Sequence, residues 1–125
     1  MHQTLENLPV TWAGIDTVYH VLPAGTDFTP LLKGLPDDMC PCPHWGYVFK
    51  GALYTRYTDG TVEVAREGEV FYLPPGHTGW NDEDTIVLMF SPEKEHLPVL
   101  EHVRKKQEEL SQQRGRINYE RSYQR

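Results

Sequence analysis

Basic residues, cysteines and long apolar stretches are all scarce in this chain. Its 125 residues include 12 Lys or Arg against 18 Asp or Glu, and only two Cys. No run of apolar residues approaches the roughly 18 that a membrane span needs, so we expect no membrane partner. Residues 1–6 contain no basic segment followed by an apolar one, so we expect no secretory signal and a cytoplasmic location.

The shortage of positive charge is uneven along the chain. Residues 1–100 carry 5 basic and 14 acidic side chains, whereas residues 101–125 carry 7 basic and 4 acidic ones. An acidic body argues against nucleic acid as the main partner, because phosphate backbones are bound mostly by Lys and Arg. We expect the basic tail to lie over the acidic body of its own or a neighbouring subunit.

The remaining composition is that of one folded domain. A chain of this length can bury a substantial core. Short β-prone runs recur from Thr17 to Ser91 with Gly, Pro and Asp between them, and Asp59-Gly60 is a strong hairpin signal. This spacing predicts an all-β sandwich or barrel. We therefore divide the chain into an N-terminal arm (1–16), a β-barrel (17–91) and a C-terminal segment (92–125).

The C-terminal segment changes to a helical period. Four apolar residues recur at a spacing typical of one helix face: Leu97, Leu100, Val103 and Leu110. They predict an amphipathic helix from Pro98 to about Gln113, with Pro98 in its first turn. The narrow apolar stripe suggests a helix laid on the barrel or across the seam of a homodimer. From Arg114 onward the chain is polar, and we expect it to be frayed or ordered by a partner.

The segment from residue 40 to residue 51 concentrates the chemistry of the chain. In an extended strand, side chains two apart point the same way. That period places four polar residues on one face, namely Asp38, Cys40, Cys42 and His44. Three aromatic residues share the other face, namely Trp45, Tyr47 and Phe49. Thiolate, imidazole and carboxylate on one face predict a transition-metal site.

Which thiolate completes such a site is left open by the residues themselves. A disulfide between Cys40 and Cys42 is unfavourable, because two cysteines separated by one residue in an extended segment cannot easily be closed on each other. Pro41 and Pro43 make the segment irregular, so Cys42 is an alternative to Cys40. Asp38 is either a ligand or a hydrogen-bond acceptor that orients a ligating imidazole.

Two stretches together resemble the motifs of the cupin superfamily. The first motif of that family holds His-x-His, then Glu, with a glycine seven positions after the Glu. Counting back seven from Gly51 reaches His44 in the Glu position, with Cys40 and Asp38 in the two His positions. The second motif places Gly, Pro and Gly where this chain has Gly68, Pro74 and Gly76.

The resemblance also contains departures. The position of the second-motif histidine is Gly79, and His77 lies two places earlier. By strand period, His77 keeps the same face, one pleat nearer the turn. The final Asn position of the motif is Glu83. The resemblance therefore implies a cupin-like metal site with an altered ligand set.

What the resemblance implies about fold and function is correspondingly broad. The fold would be a cupin-like double-stranded β-helix, or jelly-roll barrel, with one C-terminal amphipathic helix. The site would bind a divalent transition metal, Zn or Fe, through His44, His77 and Cys40, with Cys42 and Asp38 as further candidates. The protein would be a metal-dependent enzyme of oxygenase, isomerase or lyase type acting on a small polar molecule. The alternative is a non-catalytic metal- or ligand-sensing module acting through a partner.

The other histidines are expected to be structural. His20, on the first strand, either enters the barrel or faces solvent, and we expect its role to be structural. We expect His96 and His102 to lie on the surface. The aromatic residues are numerous, with 3 Trp, 7 Tyr and 4 Phe. Most should pack in the core or an interface, and some should line an apolar pocket with the metal at its floor.

Overall fold

The computed structural model describes residues 7–123, and the side chains of residues 7–113. The described chain folds into eight antiparallel strands and a long C-terminal helix. The strands are β1 (Val10–Trp12), β2 (Ile15–Leu22), β3 (His44–Lys50), β4 (Ala52–Tyr57), β5 (Val62–Arg66), β6 (Val70–Leu73), β7 (His77–Trp80) and β8 (Thr85–Pro92). The helices are α1 (Thr29–Leu32), a 3-10 turn (Pro36–Asp38) and α2 (Glu93–Tyr123).

The strands form two sheets that face each other. The larger sheet has the order β1-β2-β8-β3-β6, and the smaller has the order β5-β4-β7. Strands β5 and β6 lie at the edges and no ladder joins them, so the two sheets do not close into a continuous barrel. The predicted all-β jelly-roll fold with one C-terminal helix is confirmed.

The sheet extends further toward the N-terminus than predicted. The strand expected from Thr17 begins at Ile15, and it pairs with β1, which lies inside the expected N-terminal arm. Residues 1–6 of that arm lie outside the described residues.

The interior is lined by alternate residues of the larger sheet. Val18, Val48 and Val87 are almost fully buried, and Val48 pairs directly with Val87 across β3 and β8. Residues paired in an antiparallel ladder point to the same side of the sheet. The inner face therefore also carries His44 on β3 and Asp16 on β2, both of which are buried.

The segment between β2 and β3 runs along the edge of the smaller sheet. It pairs with β7 twice, through the isolated bridges Asp27–Trp80 and Cys40–His77. The backbone N–H of Phe28 also donates to the carbonyl of Gly79 at 3.0 Å. These bonds satisfy the free edge of β7 and fix the loop that leads to the two cysteines.

Helix α2 begins directly after β8, five residues before the predicted start. The N–H of Glu93 donates to the carbonyl of Gly14 at 2.9 Å, which anchors this end of the helix to the β1–β2 turn. Pro98 consequently lies inside the helix and not in its first turn. No helix among the described residues is both long and apolar enough to cross a membrane.

The buried face of α2 differs from the predicted stripe. Leu97 is 53% exposed, whereas His96 and Val99 are 6% and 5% exposed. Val99 packs with Leu32, Cys40 and Cys42, and Val103 packs against the same cluster, because the face of the helix with positions 96, 99 and 103 is the one turned toward the barrel. The prediction of His96 as a surface residue is wrong for the same reason. His102 is partly buried and hydrogen-bonds the carbonyl of Lys33 at 2.8 Å.

Among residues 101–113, two basic side chains of the helix form ion pairs within it. Arg104 bonds Glu108 at 2.8 Å and Lys106 bonds Glu109 at 3.2 Å. The backbone of α2 is helical to Tyr123. That the chain from Arg114 onward is frayed or ordered by a partner stays a prediction. The side chains that would test a contact between the basic tail and an acidic body lie outside the described residues.

Gly46 provides a stability prediction for the larger sheet. A Cβ at this position would lie 2.2 Å from the carbonyl oxygen of Leu88 and 2.3 Å from the ring of Phe71. We expect Gly46→Ala to lower the free energy of unfolding by about 3 kcal/mol, because overpacking forces backbone and ring to shift. Denaturant unfolding monitored by circular dichroism measures this loss.

The matched control is Gly60→Ala, where nothing lies within 4 Å of the added Cβ. The cost there comes only from the positive φ of 87° and should be about 1 kcal/mol. Equal losses in the two variants would contradict a steric role for Gly46.

Candidate metal centre

Three sequence-predicted ligands meet inside the barrel. Cys40 is brought beside His77 by their backbone bridge, in which the N–H of Cys40 donates to the carbonyl of His77 at 2.7 Å. His44 enters from the first residue of β3, where its partner on β6 is Leu73. All three side chains are buried.

The donor atoms are close enough to share one ion. One donor atom from each of Cys40, His44 and His77 lies within 4.8 Å of the other two. The Sγ of Cys40 is 3.5 Å from the Nε2 of His44, and the rings of His44 and His77 are 5.0 Å apart between centroids. Two ligands of one tetrahedral zinc ion lie roughly 3.5 Å apart, given metal–ligand bonds of about 2.0 to 2.3 Å. The cluster therefore needs only small side-chain movements to bind a metal.

Hydrogen bonds at Nδ1 fix the orientation of both imidazoles. The Nδ1 of His77 donates to the carbonyl of Pro74 at 2.7 Å, which leaves the lone pair on Nε2. The Nδ1 of His44 lies 2.6 Å from the hydroxyl of Ser91, which can accept its proton. Metal-binding histidines in proteins are normally held in this way by a partner on the other ring nitrogen.

Burial also keeps these groups uncharged. It lowers the pKa of His44 well below its usual value, and the neighbouring His77 and His96 add to the shift. Burial likewise lowers the pKa of His77, against the opposing effect of its bond to Pro74. Burial raises the pKa of Cys40 to about 11. The site thus offers two neutral imidazoles with free lone pairs and one thiol that loses its proton on coordination. This set of donors suits a borderline divalent cation.

Cys42 and Asp38 lie outside this group of donors. The predicted strand from Asp38 to His44 does not form, because Asp37 and Asp38 adopt the left-handed conformation and the chain between the two prolines is irregular. The predicted shared face is therefore wrong. Cys42 is fully buried and packs against Leu32 and Val99, and burial raises its pKa to about 12. Asp38 is exposed and accepts a bond from the N–H of Gly34 at 2.9 Å.

Two further imidazoles, neither of them a predicted ligand, lie near the cluster. His96 is held by Asp16, with Nδ1 and Oδ2 2.7 Å apart, and its ring centroid is 5.7 Å from that of His44. His20 is held by Asn7 at 3.1 Å, and burial lowers its pKa to about 4. The internal position of Asp16 follows from its alternation with Val18 on β2, a signal that the sequence contained.

Two of the aromatic residues lie on the outer face of the larger sheet, away from the metal cluster. Trp45 and Tyr72 stack on each other at 5.3 Å between centroids, and both are about half exposed on the outer face. They do not line the metal cluster. The predicted aromatic pocket therefore does not include these two residues.

Comparisons with known proteins agree on the fold. No protein-family model and no curated protein sequence matches the chain. Among solved structures, protein NMB1881 from Neisseria meningitidis is similar at a TM-score of 0.53 and 13% identity, over 74% of this chain and 88% of that one. A protein of unknown function from Streptococcus pyogenes, SPY1581, gives 0.51 and 16%, over 67% and 68%.

A variant of the salicylate 1,2-dioxygenase from Pseudoaminobacter salicylatoxidans gives a TM-score of 0.50 and 17% identity. The match covers 71% of this chain but only 24% of the dioxygenase chain. At such identities the likeness concerns the arrangement of strands and not the activity. The strand order, the antiparallel pairing and these likenesses together establish that the chain has the cupin-type jelly-roll fold.

Proposed function

We propose that this protein is a metal-dependent enzyme acting on a small polar molecule, with Cys40, His44 and His77 as the metal ligands. The observation that carries the proposal is the convergence of three donor atoms within 4.8 Å of one another in a buried interior. Buried groups of this kind are costly unless they are paired or bind a metal. Zn or Fe is the metal that we favour, because both accept mixed imidazole and thiolate ligands.

Three protein ligands favour catalysis over a purely structural site. Structural zinc sites are usually closed by four protein ligands, whereas catalytic sites keep one position for water or substrate. A bound divalent metal would supply Lewis acidity that polarises a carbonyl or carboxyl oxygen. Such chemistry serves isomerases and lyases, and an iron ion would extend it to oxygenases.

The chain's own residues would orient the ligands. Ser91 on β8 and the carbonyl of Pro74 hold the rings of His44 and His77 by their Nδ1 atoms. Both contacts are made by residues of the barrel, so the ligand geometry is set before a metal binds. Preorganisation of this kind limits the rearrangement required on binding.

A non-catalytic sensing module is the second candidate. The three ligands are only 4–6% exposed, and such burial would also suit a metal that is held and not used. The exchange of a metal-bound water distinguishes the enzyme from the sensing module. It is measured by proton relaxation of a Co²⁺- or Mn²⁺-loaded sample. Rapid exchange supports the enzyme, and its absence supports the sensing module.

The proposal includes a reducing location and a homodimer. Both cysteines are free and buried, which suits the cytoplasm.

The outer face of the larger sheet is apolar across β2, β8, β3 and β6, where Trp45 pairs with both Phe90 and Tyr72. Contiguous exposed apolar patches often mark an interface. A second copy of the chain is the occupant that we propose, since the same apolar face on two copies can pack together about a two-fold axis.

Metal content tests the ligand assignment. We expect His44→Ala and His77→Ala to retain well below one metal ion per chain, because each removes a ligand. Ser91→Ala should weaken metal binding by about 10–100-fold, the usual effect of losing a partner of a ligating histidine. Elemental analysis and competition with a chromophoric chelator measure these effects.

His102→Ala is the control, because it removes a histidine that bonds Lys33 away from the cluster. Full metal occupancy in both ligand variants would disprove the assignment.

Chelation tests whether the metal is structural. We expect a strong chelator to lower the melting temperature by only a few degrees and to leave the β-sheet signal intact, because the apolar core of a 125-residue domain can carry the fold. Thermal unfolding by circular dichroism, with metal added back, measures this. Collapse of the signal at room temperature would make the metal structural and favour the binding module.

Charge on the outer sheet face tests the dimer. We expect the wild-type chain to be a dimer by light scattering at tens of micromolar, and Trp45→Glu to be a monomer, because a buried unpaired carboxylate is costly. Val62→Glu is the matched control, since Val62 is also 45% exposed but lies on the smaller sheet. A wild-type monomer, or equal dissociation in both variants, would remove the proposed interface.

A further inference from the structure

The two sheets leave an open side between β5 and β6. Each of these strands ends one of the sheets, and among the described residues no strand pairs with its free edge. Neither strand contains proline or lysine, the residues that most often block such an edge. A free edge presents a row of backbone N–H and C=O groups, with which another extended segment can pair.

The hydrogen bonds of β6 show which of its backbone groups face this gap. The N–H of Val48 on β3 donates to the carbonyl of Glu69 at 3.0 Å, directly before β6 begins. Bonded and non-bonded pairs alternate along an antiparallel ladder. Every second residue after Glu69 therefore bonds β3, which leaves the N–H and C=O groups of Val70 and Tyr72 directed into the gap.

The same alternation applies to β5. The N–H of Tyr57 donates to the carbonyl of Thr61 at 2.9 Å, so every second residue from Thr61 onward bonds β4. The N–H and C=O groups of Val62 and Val64 consequently face the gap from the other sheet. Two free edges thus border one opening.

A groove of about 190 Å³ lies between these edges. It is smaller than the roughly 300–1,000 Å³ of a usual small-molecule pocket, so it fits the side chains of a bound segment better than a whole buried ligand. Its lining includes the carboxylates of Glu63 and Glu69 and no Lys or Arg. The groove is therefore negatively charged.

Only one oxygen of each carboxylate is used by the chain itself. The Oε2 of Glu63 accepts from the hydroxyl of Tyr57 at 3.1 Å, and the Oε1 of Glu69 accepts from the N–H of Arg66 at 2.7 Å. Among the described residues, no partner is found for the second oxygen of either group. Such a groove repels an acidic segment and favours a basic one.

The opposite side of β6 makes a different demand on an occupant. Val70 and Tyr72 are 80% and 50% exposed, and Tyr72 stacks on Trp45 on the outer face of the sheet. A strand lying along β6 would place alternate side chains beside these two residues and the others in the groove. An occupant that suits both sides alternates apolar and basic residues.

We infer that the free edge of β6 binds an extended segment of a partner protein in which apolar residues alternate with Lys or Arg. The segment would add a sixth strand to the larger sheet, with its basic side chains turned toward Glu63 and Glu69. This edge is the side of the sheet, whereas the proposed dimer uses its outer face, and the inference does not depend on the metal. Since Leu73 on β6 pairs with His44, the added strand would also cover the open side of the barrel near the metal cluster.

A blocked hexapeptide, acetyl-(Val-Lys)₃-amide, is the probe, titrated into the full-length ¹⁵N-labelled protein. We expect the amide protons of Val70 and Tyr72 to exchange about tenfold more slowly when the free peptide is at ten times its Kd, because the bound strand accepts their hydrogen bonds. N-methylation of alternate peptide nitrogens on the bonding edge should weaken binding by about tenfold, through the loss of two or three backbone hydrogen bonds.

The charge of the groove is tested with the double variant Glu63→Gln, Glu69→Gln. We expect it to bind the Lys peptide about threefold to tenfold more weakly, the contribution of two exposed ion pairs, and to bind acetyl-(Val-Thr)₃-amide as the wild type does. The double variant Asp82→Asn, Glu83→Gln is the matched control. It removes the same charge from the β7–β8 loop and should retain the wild-type affinity for the Lys peptide.

Four results would overturn the inference. The first is a wild-type protein that does not bind the Lys peptide at millimolar concentration. The second is binding that N-methylation leaves unchanged, which would be charge attraction without strand pairing. The third is an equal affinity of the two double variants for the Lys peptide. The fourth is slow exchange of Val70 and Tyr72 that increases with protein concentration in the absence of peptide, which would assign the edge to a second copy of the chain.

Discussion

The candidate site depends on one backbone bridge, between Cys40 and His77. Cys40 lies in a loop and His77 begins a strand, and nothing in their separation of 37 positions along the chain would bring them together. Three backbone hydrogen bonds do so: the N–H of Cys40 donates to the carbonyl of His77 at 2.7 Å, and the carbonyl of Cys40 accepts from Gly76 at 2.8 Å and from His77 at 3.4 Å. The loop thereby acts as a further strand along β7, and its thiol points to the same side as the imidazole of His77. The hydrogen bonds of Phe28 and Asn81 along the same edge hold the rest of the loop in register.

The interior that results has an unusual electrostatic character. Four imidazoles are gathered there, and each has its Nδ1 bonded to a different acceptor: Asn7, Ser91, Pro74 and Asp16. Burial disfavours the protonated form of an imidazole and lowers the pKa of His20, His44 and His77. The lone pairs of these three rings are therefore left without protons at neutral pH. An interior of this kind is better suited to a cation than to an apolar ligand.

The sequence predicted the parts of this structure that arise from local chemistry. Asp59-Gly60 indicated the hairpin between β4 and β5, in which Arg56 pairs with Val62. The spacing of Gly68, Pro74 and Gly76 correctly indicated the turn before His77. Strand parity failed between Asp38 and His44, because two consecutive left-handed aspartates and two prolines interrupt the strand, and a period of two has no meaning across such an interruption.

The contribution of α2 was missed for a different reason. The apolar period was counted from leucines, whereas the face that packs inward begins with a histidine, His96, whose burial requires an acidic partner 80 residues away. No pattern within the helix reveals such a partner. The start of the helix was also placed too late, because Pro98 fits a first turn well and the bond from Glu93 to Gly14 is a tertiary contact. Local sequence signals therefore predicted the strands and the candidate ligands that they carry. The position of α2 and the burial of His96 depend on long-range contacts, which no local signal reveals.

The packing of α2 on the loop that carries the two cysteines means that the strands by themselves do not enclose the interior. The last strand ends at Pro92, and every residue of the two motifs precedes that point. A truncation there would keep the sheets and the three candidate ligands, yet it would remove the cover over Cys42 and one wall of the interior. The helix is for this reason an integral part of the barrel and not an appendage, and a fragment or chimera designed on the strands alone would reproduce the architecture with its central chamber open to solvent.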